Sequence, residues 1–151
     1  QPLDIVQLAR EVTADFVAAA LAKKIDLGFE ASATAMIEGD ALMLGEMLSN
    51  LLDNAIRYTQ AGGRITVSIA VHDRATSLSI EDNGPGIPAT EREQVFQRFY
   101  RLAESPAEGC GLGLAIVREV AAAHRVRVSL LAGTAGIGTK VLLEFPATLS
   151  E

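Results

Sequence analysis

The sequence predicts a two-layer α/β sandwich, with helices covering one face of a mixed, mostly antiparallel sheet. Three observations carry that prediction. Ile65, Val67, Ile69 and Val71 alternate strictly, and Val141, Leu143 and Phe145 repeat the pattern, which is the period of a half-buried strand. Ile5, Leu8, Val12, Phe16 and Ala19 recur three and four residues apart, as do Leu44, Met47, Leu48, Leu51, Leu52, Ala55 and Ile56, which is the apolar stripe of a helix. The two kinds of segment interleave along the chain with no internal repeat and no linker. At 151 residues, 49% of them hydrophobic, this is one domain able to bury a proper core.

In order, the spacing predicts a first amphipathic helix over Leu3 to Lys24 and a weakly patterned strand over Ile25 to Glu30. Gly39-Asp40 is a turn and N-cap that opens the second helix, and Gly62-Gly63 ends it. The strand from Ile65 turns at His72-Asp73-Arg74-Ala75 into a second strand marked by Leu78 and Ile80, a hairpin. DNGPGIP (residues 82–88) holds too many breakers for regular structure. Thr90 to Val95 is a short helical patch, and Phe96 to Gly111 reads as a loop. Gly111 to His124 is a helix with Leu112, Ile116, Val117 and Val120 on one face. Val126, Val128 and Leu130 mark another strand, and GTAGIG turns into the last one.

Composition narrows the function classes. A net charge of −6 argues against a general nucleic-acid surface. No apolar run is long enough to span a bilayer, and no signal peptide opens the chain. The single cysteine, Cys110, excludes an internal disulfide and suits a reducing compartment. A start at QPLDIVQL, without Met, reads as a piece cut from something longer.

Four segments carry candidate chemistry. In EMLSNLLDNAIRYT, Glu46, Asn50 and Asn54 fall four apart and stack along one stripe beside the apolar face. Asn is a mediocre helix former, because its amide competes for backbone hydrogen bonds. Two of them here fit either solvated helix positions or a pair holding a hydrated metal and phosphate oxygens. Asp82, at a strand end beside Gly84 and Gly86, can accept from an exocyclic amine such as adenine's, although a tight turn needs Gly and Pro in any case. Gly109-Cys110-Gly111-Leu112-Gly113-Leu114 opens a helix, where bare N–H groups favour an anion such as polyphosphate. It is neither the dinucleotide fingerprint, since no strand precedes it, nor a P-loop, since no Gly-Lys-Ser or Gly-Lys-Thr exists in the chain. In FQRFYR, Phe96 and Phe99 can anchor a loop, while Arg98 and Arg101 can reach phosphate oxygens. GIGT (residues 136–139) reads by itself as a plain hairpin turn. His72 and His124 lack a Ser, Cys or metal-ligand partner at useful spacing, so each reads as structural or solvated rather than as part of a triad or zinc site.

The order NLLDNAIRYT, DNGPGIP, FQRFYR, GCGLGLAIV and GIGT resembles the catalytic, ATP-binding domain of bacterial two-component sensor histidine kinases. Their ATPase fold, of Bergerat type, is shared with DNA gyrase, the mismatch-repair ATPase and a heat-shock chaperone. The resemblance runs from Pro2 to Pro146; each motif is weak alone and the ordered set is specific. It implies a sheet of about five strands over three helices, with ATP held between the helices and a mobile lid over Phe99 to Cys110. By position, Asn50 and Asn54 match residues that meet Mg²⁺ and the phosphates, and Arg57 matches a basic residue that reaches phosphate. Tyr58 matches one that packs near adenine. Asp82 matches the carboxylate that receives the adenine amine, with Gly84, Gly86 and Ile87 shaping the pocket. Arg98 and Arg101 match lid-side phosphate contacts, and Gly111, Leu112, Gly113 and Leu114 supply backbone to the phosphates. Thr139 matches a residue at the adenine end. Two departures are visible: Cys110 stands where the family usually has Ser or Thr, and His124-Arg125-Val126-Arg127 stands where it often continues with glycines.

The same resemblance separates transfer from hydrolysis. The ATP-hydrolysing relatives carry a Glu four residues before the metal-binding Asn; here that position is Asn50, and a neutral amide cannot act as a general base. Catalysis would then rest on positioning, with Asn50, Asn54 and Arg98 as the catalytic residues, and on charge neutralisation by Mg²⁺, Arg57 and Arg98. The family's phosphoacceptor is a histidine on a separate helical dimerisation domain, a context neither His72 nor His124 has. The implied protein is therefore a single catalytic domain over 1–151 that binds ATP and Mg²⁺ and does not phosphorylate itself alone. Its implied partners are that dimerisation domain and, through the full-length protein, a response regulator. It would be a cytoplasmic domain without direct membrane contact, in a parent of the bacterial inner membrane.

Overall fold

A computed structural model describes residues 1–31, 34–82, 110–132 and 138–146. Its centre is a five-stranded sheet ordered β2-β4-β5-β7-β6, made from β2 (Asp26–Ala31), β4 (Arg64–His72), β5 (Ala75–Asp82), β6 (Arg127–Ala132) and β7 (Thr139–Phe145). Only β2 and β4 run parallel; every other neighbouring pair is antiparallel. A parallel neighbour cannot be reached by a hairpin and needs a crossover. The helix α3 (Ala41–Tyr58), between β2 and β4 in the chain, lies in that crossover. The mixed, mostly antiparallel sheet is the one the sequence predicts.

Alternation decides which face is buried. Ile65, Val67 and Ile69 of β4, Leu78 and Ile80 of β5, and Val141, Leu143 and Phe145 of β7 pack into one core with the apolar stripe of α3, namely Leu44, Met47, Leu48, Leu51, Leu52 and Ile56. Val117, Val120 and Ala121 of α4 (Cys110–Ala123) join it, as do Ile5, Val6, Ala9 and Val12 of α1 (Ile5–Asp15). Burying an aliphatic side chain of this size contributes about 1.5–3 kcal/mol relative to exposure. The β4–β5 hairpin turns on Asp73 and Arg74, both at positive φ (50° and 68°), which is the two-residue turn whose twist matches the strands.

Four local differences from the sequence expectation have physical causes. The chain opens on a strand, β1 (Pro2–Asp4), paired antiparallel with β3 (Met36–Glu38) in a separate small sheet. The helix therefore starts later than Leu3, where the Asp4 carboxylate accepts from the Val6 and Gln7 N–H groups. It is also broken: at Phe16 (φ −103°, ψ 3°) the N–H turns to the Thr13 carbonyl, three residues back, before α2 (Val17–Ala22) resumes. Next, α3 ends at Tyr58, because Thr59 takes an extended conformation; Gly62, at φ +89°, serves the following turn by donating its N–H to the Lys24 carbonyl. Finally, β6 begins after Val126, whose N–H closes the end of α4 on the Ala121 carbonyl. Gly39-Asp40 behaves as predicted, with the Asp40 carboxylate capping the Leu42 and Met43 N–H groups. No helix among the described residues is long and apolar enough to cross a membrane.

Candidate functional site

The site is built on α3. Asn54 is only 3% exposed, in the buried face of an apolar helix. Burying an unpartnered amide costs a few kcal/mol, so Asn54 is not a solvated helix residue, and that reading of the stripe falls away for it. Asn50, one turn earlier and half-buried, donates its amide Nδ2 to the Glu46 carbonyl at 2.9 Å. That bond uses the donor half of the amide and leaves Oδ1 as the group suited to a ligand. Glu46 is exposed, as expected for a residue near a helix start. One turn after Asn54 the Arg57 guanidinium meets Asp53 at 3.0 Å, both side chains about half exposed. An exposed pair of this kind contributes about 0–1 kcal/mol, little enough for a phosphate to compete with.

Asp82 is the last residue of β5, and the register places it between Ile65 of β4 and Thr139 of β7. Residues directly opposite one another share a face of the sheet. Asp82 and Thr139 therefore stand side by side at one end of the sheet, on the face that carries Ile80 and Val141 and that the helices cover. Thr139 is buried and Asp82 half-buried. Helix α3 packs against both β5 and α4.

α4 starts at Cys110, so Gly111, Leu112 and Gly113 fall in its first turn and Leu114 follows. The first four N–H groups of a helix have no intrahelical acceptor and carry the positive end of its dipole. Glycine costs about 1 kcal/mol against alanine in a helix interior. Asn50, Asn54 and Arg57 thus lie on α3, the Asp82–Thr139 pair at one end of the sheet, and the glycine turn at the start of α4. Tyr58 closes α3. Gly84, Gly86, Ile87, Arg98 and Arg101 lie outside the described residues, as do the helical patch Thr90 to Val95 and, apart from Cys110, the expected lid.

Two residues that hold the ends of α3 have partners the sequence reading did not specify. Lys23, at the end of α2, donates to the carbonyls of Ile56 and Arg57 at the end of α3. His124, at the end of α4, accepts the Asp40 N–H on Nε2 at 3.1 Å while Nδ1 lies 2.9 Å from the Val120 carbonyl. The proton thus sits on Nδ1, and the histidine read as structural or solvated is a tie between two helices. Both residues immediately follow a helix, which was a visible signal; their partners, far away in sequence, were not.

Comparison with known proteins bears on the whole chain. A family model described as histidine kinase-, DNA gyrase B-, and HSP90-like ATPase matches residues 39–149. The sensor protein kinase PmrB of Pseudomonas aeruginosa is 36% identical over 148 residues, 97% of this chain and 31% of PmrB. The signal transduction histidine-protein kinase/phosphatase MprB of Mycolicibacterium vanbaalenii is 41% identical over 105 residues, 68% of this chain and 22% of MprB. Among solved structures, the nucleotide-free catalytic domain of histidine kinase ThkA superposes with a TM-score of 0.75 at 26% identity, covering 99% of this chain and 98% of that one. Mycobacterial sensor histidine kinase MprB superposes with a TM-score of 0.74 at 30% identity, covering 99% of this chain and 100% of that one. The chain spans less than a third of the length of PmrB and a smaller share of the full-length MprB.

Proposed function

This chain belongs to the histidine kinase-, DNA gyrase B- and HSP90-like ATPase family, and from that membership and the geometry of its site we propose that it binds Mg·ATP and passes the γ-phosphoryl group to a histidine on a separate dimerisation domain of a two-component sensor kinase. The observations that support this reading are the burial of Asn54 on α3, a helix that packs against β5 and α4, and the Asp82–Thr139 pair at one end of the sheet. On this reading the Asp82 carboxylate and Thr139 hydroxyl serve the base, and the amide oxygens of α3 and the N–H groups opening α4 serve the phosphates.

Amide oxygens from Asn50 and Asn54 are hard donors, few in number, and fit a Mg²⁺ ion that keeps most of its waters. The Asn50–Glu46 hydrogen bond supports that role by committing the amide nitrogen elsewhere. When bound, the ion would neutralise charge on the phosphates. The chain's own residues do the rest. Asp82 accepts from the adenine amine, with Thr139 beside it and Tyr58, Gly84, Gly86 and Ile87 completing the base pocket. Arg57 exchanges Asp53 for phosphate oxygens. The first turn of α4, Gly111 to Leu114, donates backbone N–H groups, and Arg98 and Arg101 close on the phosphates from the lid side. In transfer the bond from the γ-phosphorus to the bridging oxygen breaks, a phosphorus–nitrogen bond to the imidazole forms, and ADP leaves.

Asn50 separates this reading from rapid hydrolysis, because an amide has no basic electron pair with which to deprotonate water. The acceptor histidine and the response regulator belong to other domains and other proteins. On this reading the chain is one cytoplasmic catalytic domain, without membrane contact of its own, and its parent sits in the bacterial inner membrane.

Calorimetry with Mg·ATP tests the binding step. The intact chain should bind in the micromolar-to-millimolar range, roughly −4 to −8 kcal/mol. Asp82→Ala should lose most of that affinity. Asn54→Ala should lose acid-labile phosphate transfer to an added dimerisation domain through loss of the metal. Normal ATP binding by Asp82→Ala would refute the adenine assignment.

A further inference from the structure

The end of α3 is where this site is most exposed to small errors. Asn54, Arg57 and Tyr58 all lie in its last turns, and helix ends fray because their last carbonyls lack partners. The Ala55 carbonyl takes the Thr59 N–H at 3.0 Å. The next two carbonyls, of Ile56 and Arg57, both accept from the Lys23 ammonium, at 2.7 and 2.9 Å. A cation there also sits at the negative pole of the helix dipole.

Lys23 is itself held by its surroundings. Its N–H lies within hydrogen-bond reach of the Ala19 and Ala20 carbonyls of α2. On its far side, the Lys24 carbonyl accepts the Gly62 N–H at 2.8 Å and the Asp26 N–H donates to the Gly63 carbonyl at 2.9 Å. The segment that carries Lys23 is therefore stitched by backbone to the turn that leaves α3, and its side chain reaches back to the helix end from a fixed base. Ile56 and Arg57 follow Asn54 by two and three residues, which is about 3–4.5 Å along the axis.

We propose that Lys23 is a positioning residue for the nucleotide site: its ammonium, by capping the Ile56 and Arg57 carbonyls, holds the last turns of α3, and with them Asn54 and Arg57, in the register that Mg·ATP requires. The proposal rests on the nucleotide reading given above. Lys23 touches neither substrate nor metal; it acts through the helix. A ligand site tolerates displacements of only about half an ångström, so a loosened turn is read first as lost affinity.

The test is calorimetry with Mg·ATP on the whole 151-residue chain, well below its melting temperature. Lys23→Met should weaken binding about tenfold, Lys23→Gln should fall between it and the parent chain, and Lys23→Arg, which keeps the cation and its donors, should stay within about threefold of the parent. Val12→Ala, a core truncation on α1, serves as a control that lowers stability without touching the end of α3, and it should bind within about twofold. If Lys23→Met or Lys23→Gln bound like the parent, or if Val12→Ala lost as much affinity as they did, the positioning role would be overturned. Failure of the parent chain to bind Mg·ATP would instead overturn the nucleotide reading, and the Lys23 role with it.

Discussion

The connection from α2 to β2 and the connection from α4 to β6 are the same piece of backbone used twice. In the first, the Ile25 N–H reaches back to the Ala20 carbonyl and the Lys24 N–H to that of Leu21; in the second, Val126 reaches Ala121 and Arg125 reaches Ala122. Each places a basic residue in the left-handed region, Lys24 at φ 63° and Arg125 at φ 56°. Each then buries the following aliphatic residue, Ile25 or Val126. This is the Schellman ending of a helix, with a side-chain-bearing residue where glycine is usual. The difference lies in the residue just before it. Lys23 sends a cation to the carbonyl end of α3, and His124 offers a ring nitrogen to the N–H of Asp40 at its start. One helix is thus held at both ends by the last residues of two others, each with the chemistry that its pole requires. Because backbone alone satisfies the turn, the cap side chain is left to reach outward.

The comparison can be broken hardest at Gly39. A Cβ there would lie 2.7 Å from Leu44 Cδ1 and 2.8 Å from His124 Cδ2, so Gly39→Ala should cost about 1–3 kcal/mol, measured by urea unfolding. Truncating the ring that it strikes should relieve part of this. In a double-mutant cycle, Gly39→Ala with His124→Ala should destabilise by less than the sum of the two single changes, by about 1 kcal/mol. A strictly additive result would mean that Leu44 alone limits the space.

His124→Ala alone should be the next largest effect, about 1 kcal/mol, since the exposed Asp40 N–H exchanges its ring acceptor for water. For a domain of this size each kcal/mol lowers Tm by roughly 2–4 °C. The contrast with Lys23 is the informative part: Asp40 lies roughly 20 Å along α3 from Asn54, so Mg·ATP affinity should stay within about twofold. A tenfold loss would mean that both ends of α3 set the site equally.

The smallest effect sharpens the likeness. Lys24→Gly and Arg125→Gly should each stabilise by about 0.5–1 kcal/mol, because relief of left-handed strain outweighs the added freedom of the unfolded chain. The two gains should match, and a clear inequality by thermal unfolding would show that one of these side chains makes a contact the other lacks.

Much of this was legible in advance, for identifiable reasons. The alternation in β4 and β7 and the apolar stripe of α3 are local periods, and local periods survive in sequence. The glycine-opened helix and the Asp40 cap are likewise local. The pairing of β1 with β3, the break at Phe16 and the end of α3 at Thr59 were not legible, because three-residue strands carry no period and helix ends are set by tertiary contacts. In the site, Asn54 was ambiguous by pattern, and its burial removes the solvated alternative. The adjacency of Asp82 and Thr139 followed only from the register between β5 and β7, which no local motif encodes.

The β4–β5 hairpin has a practical consequence. Its turn, Asp73-Arg74, begins the same strand that Asp82 ends. Eight residues of strand set the two about 25 Å apart. A fluorophore attached at position 73 would therefore ride on the rigid sheet while standing clear of the pocket. Cys110 is the chain's only cysteine. Replacing it with serine, which is close to it in size, and adding a cysteine at 73 would give one labelling handle and a fixed reference point for measuring distances to any partner domain.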